Sequence, residues 1–177
     1  MSQKVIINKN IFLSPHTKDD IPNWIKHLND KILYRGTLAI PYPYKKKDAL
    51  FFLQLSSNMK KKSARDMNFA IRNTKGEMIG GIGFQGKYGK NSHKDEIGYW
   101  LAKPYRKKGI MSKVLKRFCK FAFQERKLIR IEATIFPFNI ASMKLVESCG
   151  FVFEGRLKKA YRKEGKYIDG MLYAKVK

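Results

Sequence analysis

Tyr105 to Phe118 reads YRKKGIMSKVLKRF, and its single glycine, Gly109, follows Arg106, Lys107 and Lys108 and precedes an amphipathic run. A helix N-terminus carries unpaired backbone N–H groups and a partial positive charge. Glycine there lets the backbone approach an anion closely. The grouping suits a phosphate, and it equally suits a plain turn that starts a helix; the loop alone leaves both open. The stretch lacks the Lys-Ser/Thr of a nucleoside-triphosphate loop and the extra glycines of a dinucleotide fingerprint. Asn139 and Ser142, three residues apart, have the spacing of a helix cap, which accounts for the pair without any chemistry. His16, His27 and His93 are isolated, and no Cys/His spacing marks a metal site. Cys119 and Cys149 fall in expected helices among apolar neighbours, which favours buried thiols over a disulfide.

Behind these residues the chain divides into short periodic segments. Ile11 to Leu13 reads as a first strand, and TKDDIPNWIKHLND as a helix capped by Thr17 or Asp19 with Trp24, Ile25 and Leu28 on one face. PYPY, Pro41 to Tyr44, marks a stiff loop. Asp48 to Met59 reads as an amphipathic helix with Leu50, Phe51, Leu53, Gln54 and Leu55 toward its inner side, and Lys60 to Asp66 as a loop. MNFAIRN, NTKG and EMIGGIGFQG make a hairpin, and HKDEIGYWLA a further strand. From Ile110 to Glu125 the apolar positions Met111, Val114, Leu115, Phe118, Phe121 and Ala122 recur at helical spacing. IRIEATI is a strand, Asn139 to Cys149 a short helix stopped by Gly150, and FVFEGRL and YIDGMLYAKV are closing strands. The resulting order is βααβββαβαββ. Its strand–helix–strand unit from Glu96 to Ile135 predicts a parallel strand pair inside a mostly antiparallel sheet.

EIGYWLAKPYRKKGIM followed by RIEATIFPFNIASMKLVESCGFVFEG resembles the GCN5-related N-acetyltransferases, and among them the ribosomal-protein N-terminal branch. The likeness runs from Met67 to Tyr173; the first helices and the PYPY loop match more loosely. It implies an α/β fold with a mixed sheet of about six or seven strands, about four helices, and acetyl-CoA held where the parallel pair opens. The family loop, Arg/Gln-x-x-Gly-x-Gly/Ala, would be Arg106-Lys107-Lys108-Gly109-Ile110-Met111 here, with Met111 departing at the last position and expected to point into the core. By resemblance, Tyr99, Trp100 and Leu101 pair with the pantetheine arm, Asn139 and Lys144 contact the coenzyme, and Ser142 lies near the thioester sulfur. Glu96 is then the candidate base, directly or through water, and Ser142 the candidate acid for the leaving thiolate. Glu132 is a minor candidate that faces the acceptor or pairs with Arg130 or a lysine. Trp24, Tyr42 and Tyr44 are candidates to line an acceptor groove, or else pack in a core.

Size and charge bound the rest. The 177 residues fit one domain, 1–177, with no linker, repeat or low-complexity stretch. Apolar runs reach about five residues, against about 20 for a membrane-spanning helix, and the first residues lack a signal peptide's apolar centre; a cytoplasmic monomer or homodimer is expected. Lys and Arg number 38 against 14 Asp and Glu, a net charge of +24. Such a field favours anionic partners and disfavours polyamine acceptors. It agrees with transient docking on a ribosome to reach a ribosomal-protein N-terminus. It agrees equally with an anionic nucleotide-linked amine as acceptor, with a non-catalytic nucleic-acid-binding module, and with lysines scattered for solubility; the resemblance by itself also implies small amines, such as a polyamine, an amino-sugar or an antibiotic, as alternative acceptors. No nucleic-acid-binding signature accompanies the charge.

Overall fold

The computed structural model describes residues 4–88 and 92–177. One sheet of eight strands forms its spine. In spatial order these are β1 (Val5–Asn8), β2 (Ile11–Pro15), β3 (Asn68–Arg72), β4 (Met78–Phe84), β5 (Lys94–Leu101), β6 (Arg130–Ile135), β8 (Lys166–Val176) and β7 (Val152–Lys163). Neighbours are antiparallel except β5 and β6, which are parallel. Among the described residues there are five α-helices: α1 (Ile21–Leu28), α2 (Lys31–Arg35), α3 (Lys46–Ser63), α4 (Ile110–Gln124) and α5 (Ile140–Ser148).

α4 connects the parallel pair and packs on one sheet face. It turns Val114, Leu115, Phe118, Phe121 and Ala122 inward, none more than 2% exposed. Each large apolar side chain so buried contributes roughly 1.5–3 kcal/mol. The Phe118 ring lies 4.8 Å from that of Phe84 and edge-on to Phe69 at 6.0 Å. The other face carries a smaller core of Trp24, Leu28, Tyr44, Ala49, Ala70 and Met78, with α1 and α3 over it. One glycine of β4 makes room on this second face: Gly81 pairs with Trp100, and a Cβ on Gly81 would meet the indole nitrogen at 2.6 Å.

Three elements differ from the reading of the sequence. A strand, β1, precedes the expected first one, and α2 follows α1 after a two-residue break. α3 runs on to Ser63 through what reads as a loop, because lysine is a good helix former and its charge suits a helix C-terminus; Ser63 Oγ closes the end on the Met59 carbonyl at 2.8 Å. The inner side of α3 is Ala49, Phe52 and Leu53, while Leu50, Phe51 and Leu55 are 44%, 71% and 43% exposed. Both sides of this helix carry large apolar residues, so periodicity does not choose between them. The strands number eight rather than six or seven, and the helices five rather than four. No helix among the described residues is long and apolar enough to cross a membrane.

Candidate functional site

The parallel ladder is short. It joins Lys94 to Arg130, Asp95 to Ile131 and Glu96 to Glu132, and stops there. Yet β5 continues to Leu101 on β4, and β6 to Ile135 on β8. The two strands therefore splay from a vertex at Glu96/Glu132. Peptide groups alternate sides along a strand. The Glu96 carbonyl accepts from Gln85 N–H, and Ala102 N–H donates to the Ile79 carbonyl, both toward β4. Ile97, Tyr99 and Leu101 then turn their peptide groups into the gap, and Trp100 turns its own to β4. Of the three residues expected along the pantetheine arm, Trp100 thus faces the neighbouring strand. Unpaired backbone groups at a sheet opening favour an extended polar chain that completes the ladder.

At the open end of the gap stands the N-terminus of α4. Lys107 and Gly109 both have left-handed backbones, with φ of 59° and 69°. Gly109 caps the helix without a side-chain bond, and nothing lies within 4 Å of a Cβ built on it. The glycine is therefore favoured by conformation rather than by close packing, and the N–H groups of Ile110, Met111 and Ser112, which precede the first helical bond from Lys113, stay open to an anion. Ile110 and Met111 pack against the main core, as expected of Met111. Lys107 and Lys108 are exposed. Arg106 is otherwise employed: its Nε donates to the Leu101 carbonyl at 2.8 Å and its Nη2 to Asp30 Oδ2 at 2.7 Å. Asp30 also caps α2 by accepting from Ile32 N–H at 2.8 Å. Burial raises the Asp30 pKa, but the bonds from Ile32 and Arg106 outweigh it and leave the carboxyl below its usual range. The anion loop, α2 and the end of β5 are thereby fastened together.

On the α5 side, Asn139 Oδ1 accepts from Ser142 N–H at 3.2 Å, which is the cap read from the sequence. Asn139 Nδ2 would lie 3.3 Å from a Cβ on Gly36, so the end of α2 comes down on this cap. Ser142 Oγ lies 2.7 Å from the Tyr99 hydroxyl. Burial pushes the Tyr99 phenol up to about 12, so it is a neutral hydrogen-bonding group at physiological pH. Lys144 is exposed on α5.

At the vertex two carboxylates stand side by side, since register partners share a face. Glu132 accepts from Tyr88 Oη at 2.6 Å, Arg130 Nε at 2.6 Å and Lys94 Nζ at 3.0 Å. Burial raises the Glu132 pKa, but these bonds more than offset it and hold the carboxyl at about 2. Glu132 is a locked anion. Glu96, 9% exposed, has a single side-chain partner among the described residues, Lys87 Nζ at 2.5 Å. The same face continues through Thr134 to Tyr161, whose ring and the Thr134 methyl both approach Gly170. Tyr161 stacks edge-on against Phe136 at 5.7 Å. The β7–β8 end closes over α2: Lys163 donates to the carbonyls of Tyr34 and Thr37 and lies 3.8 Å over the Tyr34 ring, while Tyr34 donates to Glu164. Of the aromatic groove candidates, Trp24 is 1% and Tyr44 5% exposed, both within the smaller core, and Tyr42 is 42% exposed beside Tyr34. Lys87, Tyr88, Tyr161, Asp30 and Gly36 carry no local signature; they reach the site through tertiary contacts alone.

A splayed parallel pair, an open helix N-terminus at its wide end and, at its vertex, a buried carboxylate held by one lysine define an acyl-transferase architecture that receives a phosphate-bearing carrier. The chain belongs to the acetyltransferase (GNAT) domain family, whose model matches residues 10–152. It is 40% identical over 78 residues to the protein described as "Probable N-acetyltransferase YjcK" of Bacillus subtilis (strain 168), a match that spans 44% of this chain and 43% of that relative. Curated relatives are therefore matched over about half their length. In structure the chain is similar to the RimL ribosomal L7/L12 alpha-N-protein acetyltransferase in complex with coenzyme A, with a TM-score of 0.86, 20% identity and 98% of each chain covered. It is similar also to the microcin C7 self-immunity acetyltransferase MccE in complex with acetyl-CoA and AMP, with a TM-score of 0.84, 21% identity, and 96% of this chain and 94% of that one covered.

Proposed function

We propose that the protein is an acetyl-CoA-dependent N-acetyltransferase acting in the cytoplasm on a primary amine, and that its acceptor is the N-terminal amine of a ribosomal protein. The observation that carries the reading is the gap between β5 and β6, with open peptide groups along it and the bare N-terminus of α4 at its mouth. When bound, acetyl-CoA supplies an activated acyl thioester. The amides after Gly109 hold its pyrophosphate, with Lys107 and Lys108 adding field and Lys144 near its phosphates. Tyr99 and Leu101 pair with its arm, and Asn139 lies against it. Glu96, at the vertex, would take a proton from the acceptor ammonium, directly or through water. Ser142, bonded to Tyr99, donates to the leaving sulfur. Tyr42 borders the acceptor entrance. The ribosomal acceptor is supported by the likeness to RimL and by the charge of +24, which draws the protein to a ribosome.

The test is calorimetric titration with acetyl-CoA, then release of free thiol with three acceptor classes: ribosomal-protein N-terminal peptides, polyamines and nucleotide-linked amines. Saturable binding with the peptides fastest is expected. Absence of acetyl-CoA binding overturns the activity; faster turnover of either small amine overturns the acceptor.

A further inference from the structure

Glu96 must receive an ammonium if it is the base, and in this structure it already holds one. Lys87 Nζ stands 2.5 Å from Glu96 Oε2, and the two form an ion pair. The turn that delivers Lys87 is held against β5 by its backbone. Gln85 N–H donates to the Glu96 carbonyl at 2.8 Å, and Gly86 N–H to Asp95 Oδ1 at 3.0 Å. Asp95 is 8% exposed, and Gly86 takes a left-handed φ of 66°. The Lys87 side chain is 45% exposed and is not sealed in a core. Its position therefore comes from the turn and from Glu96, at the end of the gap where the acyl carrier's thioester would stop.

We propose that Lys87 is an acetyl acceptor within the chain itself, modified by the protein's own acyl thioester donor. The inference rests on the transferase reading above. Glu96 accepts a proton from the Lys87 ammonium. The freed Nζ lone pair forms a C–N bond to the thioester carbonyl carbon, the C–S bond breaks, and the sulfur leaves as thiolate and takes the Ser142 hydroxyl proton, while the second Nζ proton, shed as the amide forms, restores that hydroxyl through solvent. The proton on Glu96 passes to solvent. No oxidant or reductant is needed. The product, an acetamide on Lys87, has lost its charge, so the ion pair opens and Glu96 is released to a second amine. The chain thus carries a first acceptor that must be capped or displaced before an external one is served.

The test incubates the intact protein with acetyl-CoA and no added amine, and maps acetylated lysines by peptide mass spectrometry. Acetyl-CoA calorimetry and turnover of a ribosomal-protein N-terminal peptide are measured alongside. Expected is near-complete acetylation at Lys87, at a rate per molecule that does not depend on protein concentration. It is lost in Glu96→Gln and in Gly109→Asp, while Lys87→Arg keeps the fold and stays unmodified. A second readout needs no donor enzyme chemistry: under acetic anhydride, Lys87 reacts several-fold more slowly than exposed lysines such as Lys108, and Glu96→Gln removes that protection. Acetyl-CoA binding and peptide turnover with Lys87 unmodified overturns the inference alone. Acetylation spread evenly over surface lysines and retained in Glu96→Gln overturns it as well. No acetyl-CoA binding overturns the transferase reading and this inference with it.

Discussion

On the α4–α5 side of the gap, the groups offered to a ligand are mainly backbone: the peptide edges of Ile97 and Tyr99, the N–H of Leu101, whose carbonyl is taken by Arg106, and the N–H groups after Gly109. On the α1–α3 side they are charged and aromatic side chains, Glu96, Lys87, Tyr161 and Tyr42, drawn from elements far apart in sequence. A backbone site depends on conformation, so it tolerates side-chain changes such as Met111 at the sixth loop position. A side-chain site depends on identity, so a single exchange there alters what is accepted. On the function proposed above, the first side fixes the donor and the second selects the acceptor.

The sharpest way to break this contrast is Gly109→Asp. It puts a carboxylate at an anion's seat on a left-handed backbone. Acetyl-CoA affinity should fall by about 100-fold or more, roughly 2.7 kcal/mol, with circular dichroism unchanged; calorimetry reads it, and unaltered affinity removes the cradle. Next is Glu96→Gln, which should lower kcat by about 100-fold, as expected for loss of a general base, and leave acetyl-CoA binding within about twofold. A pH–rate profile that keeps its shape would exclude Glu96 as the base. Arg106→Gln tests whether the first loop cation acts through structure. It leaves the Leu101 carbonyl and Asp30 unserved and should cost about 1–3 kcal/mol in urea unfolding. Asp30→Asn added to it should cost little more, whereas additive losses would place Arg106 in a separate role. The smallest effect is that of Tyr99→Phe, a few-fold in kcat through the loss of one neutral hydrogen bond of about 1 kcal/mol. Because the Tyr99 phenol lies near 12, no change should appear in the pH profile between neutrality and mild alkali.

The donor side was also the legible side. The stripe on α4, the isolated glycine, the parallel unit and the Gly150 cap are written in short-range spacing, and each lies where the pattern places it. The acceptor side was opaque for a physical reason. The side of α3 that turns inward is chosen by Trp24 and the sheet beneath it, and nothing in Leu50, Phe51 and Phe52 distinguishes the half-buried ring from the exposed one. Lys87 is one lysine among many until a turn brings it to a strand nine residues later. Local spacing treats Glu96 and Glu132 alike as strand carboxylates, and the family resemblance alone singles out Glu96 as the base; the convergence of Tyr88, Lys94 and Arg130 on Glu132, against a single lysine on Glu96, is a tertiary matter.

The three-rung ladder at Lys94 to Glu96 has a mechanical meaning. Through β5 and β6 the sheet is joined by a hinge at one corner, with two plates free to breathe along the rest of their shared edge. A strand-like ligand in the gap turns the hinge into a weld. Amide protons of Ile97 and Tyr99 should therefore exchange quickly in the free protein and slowly once acetyl-CoA is bound, a seam in the sheet that a ligand stitches shut.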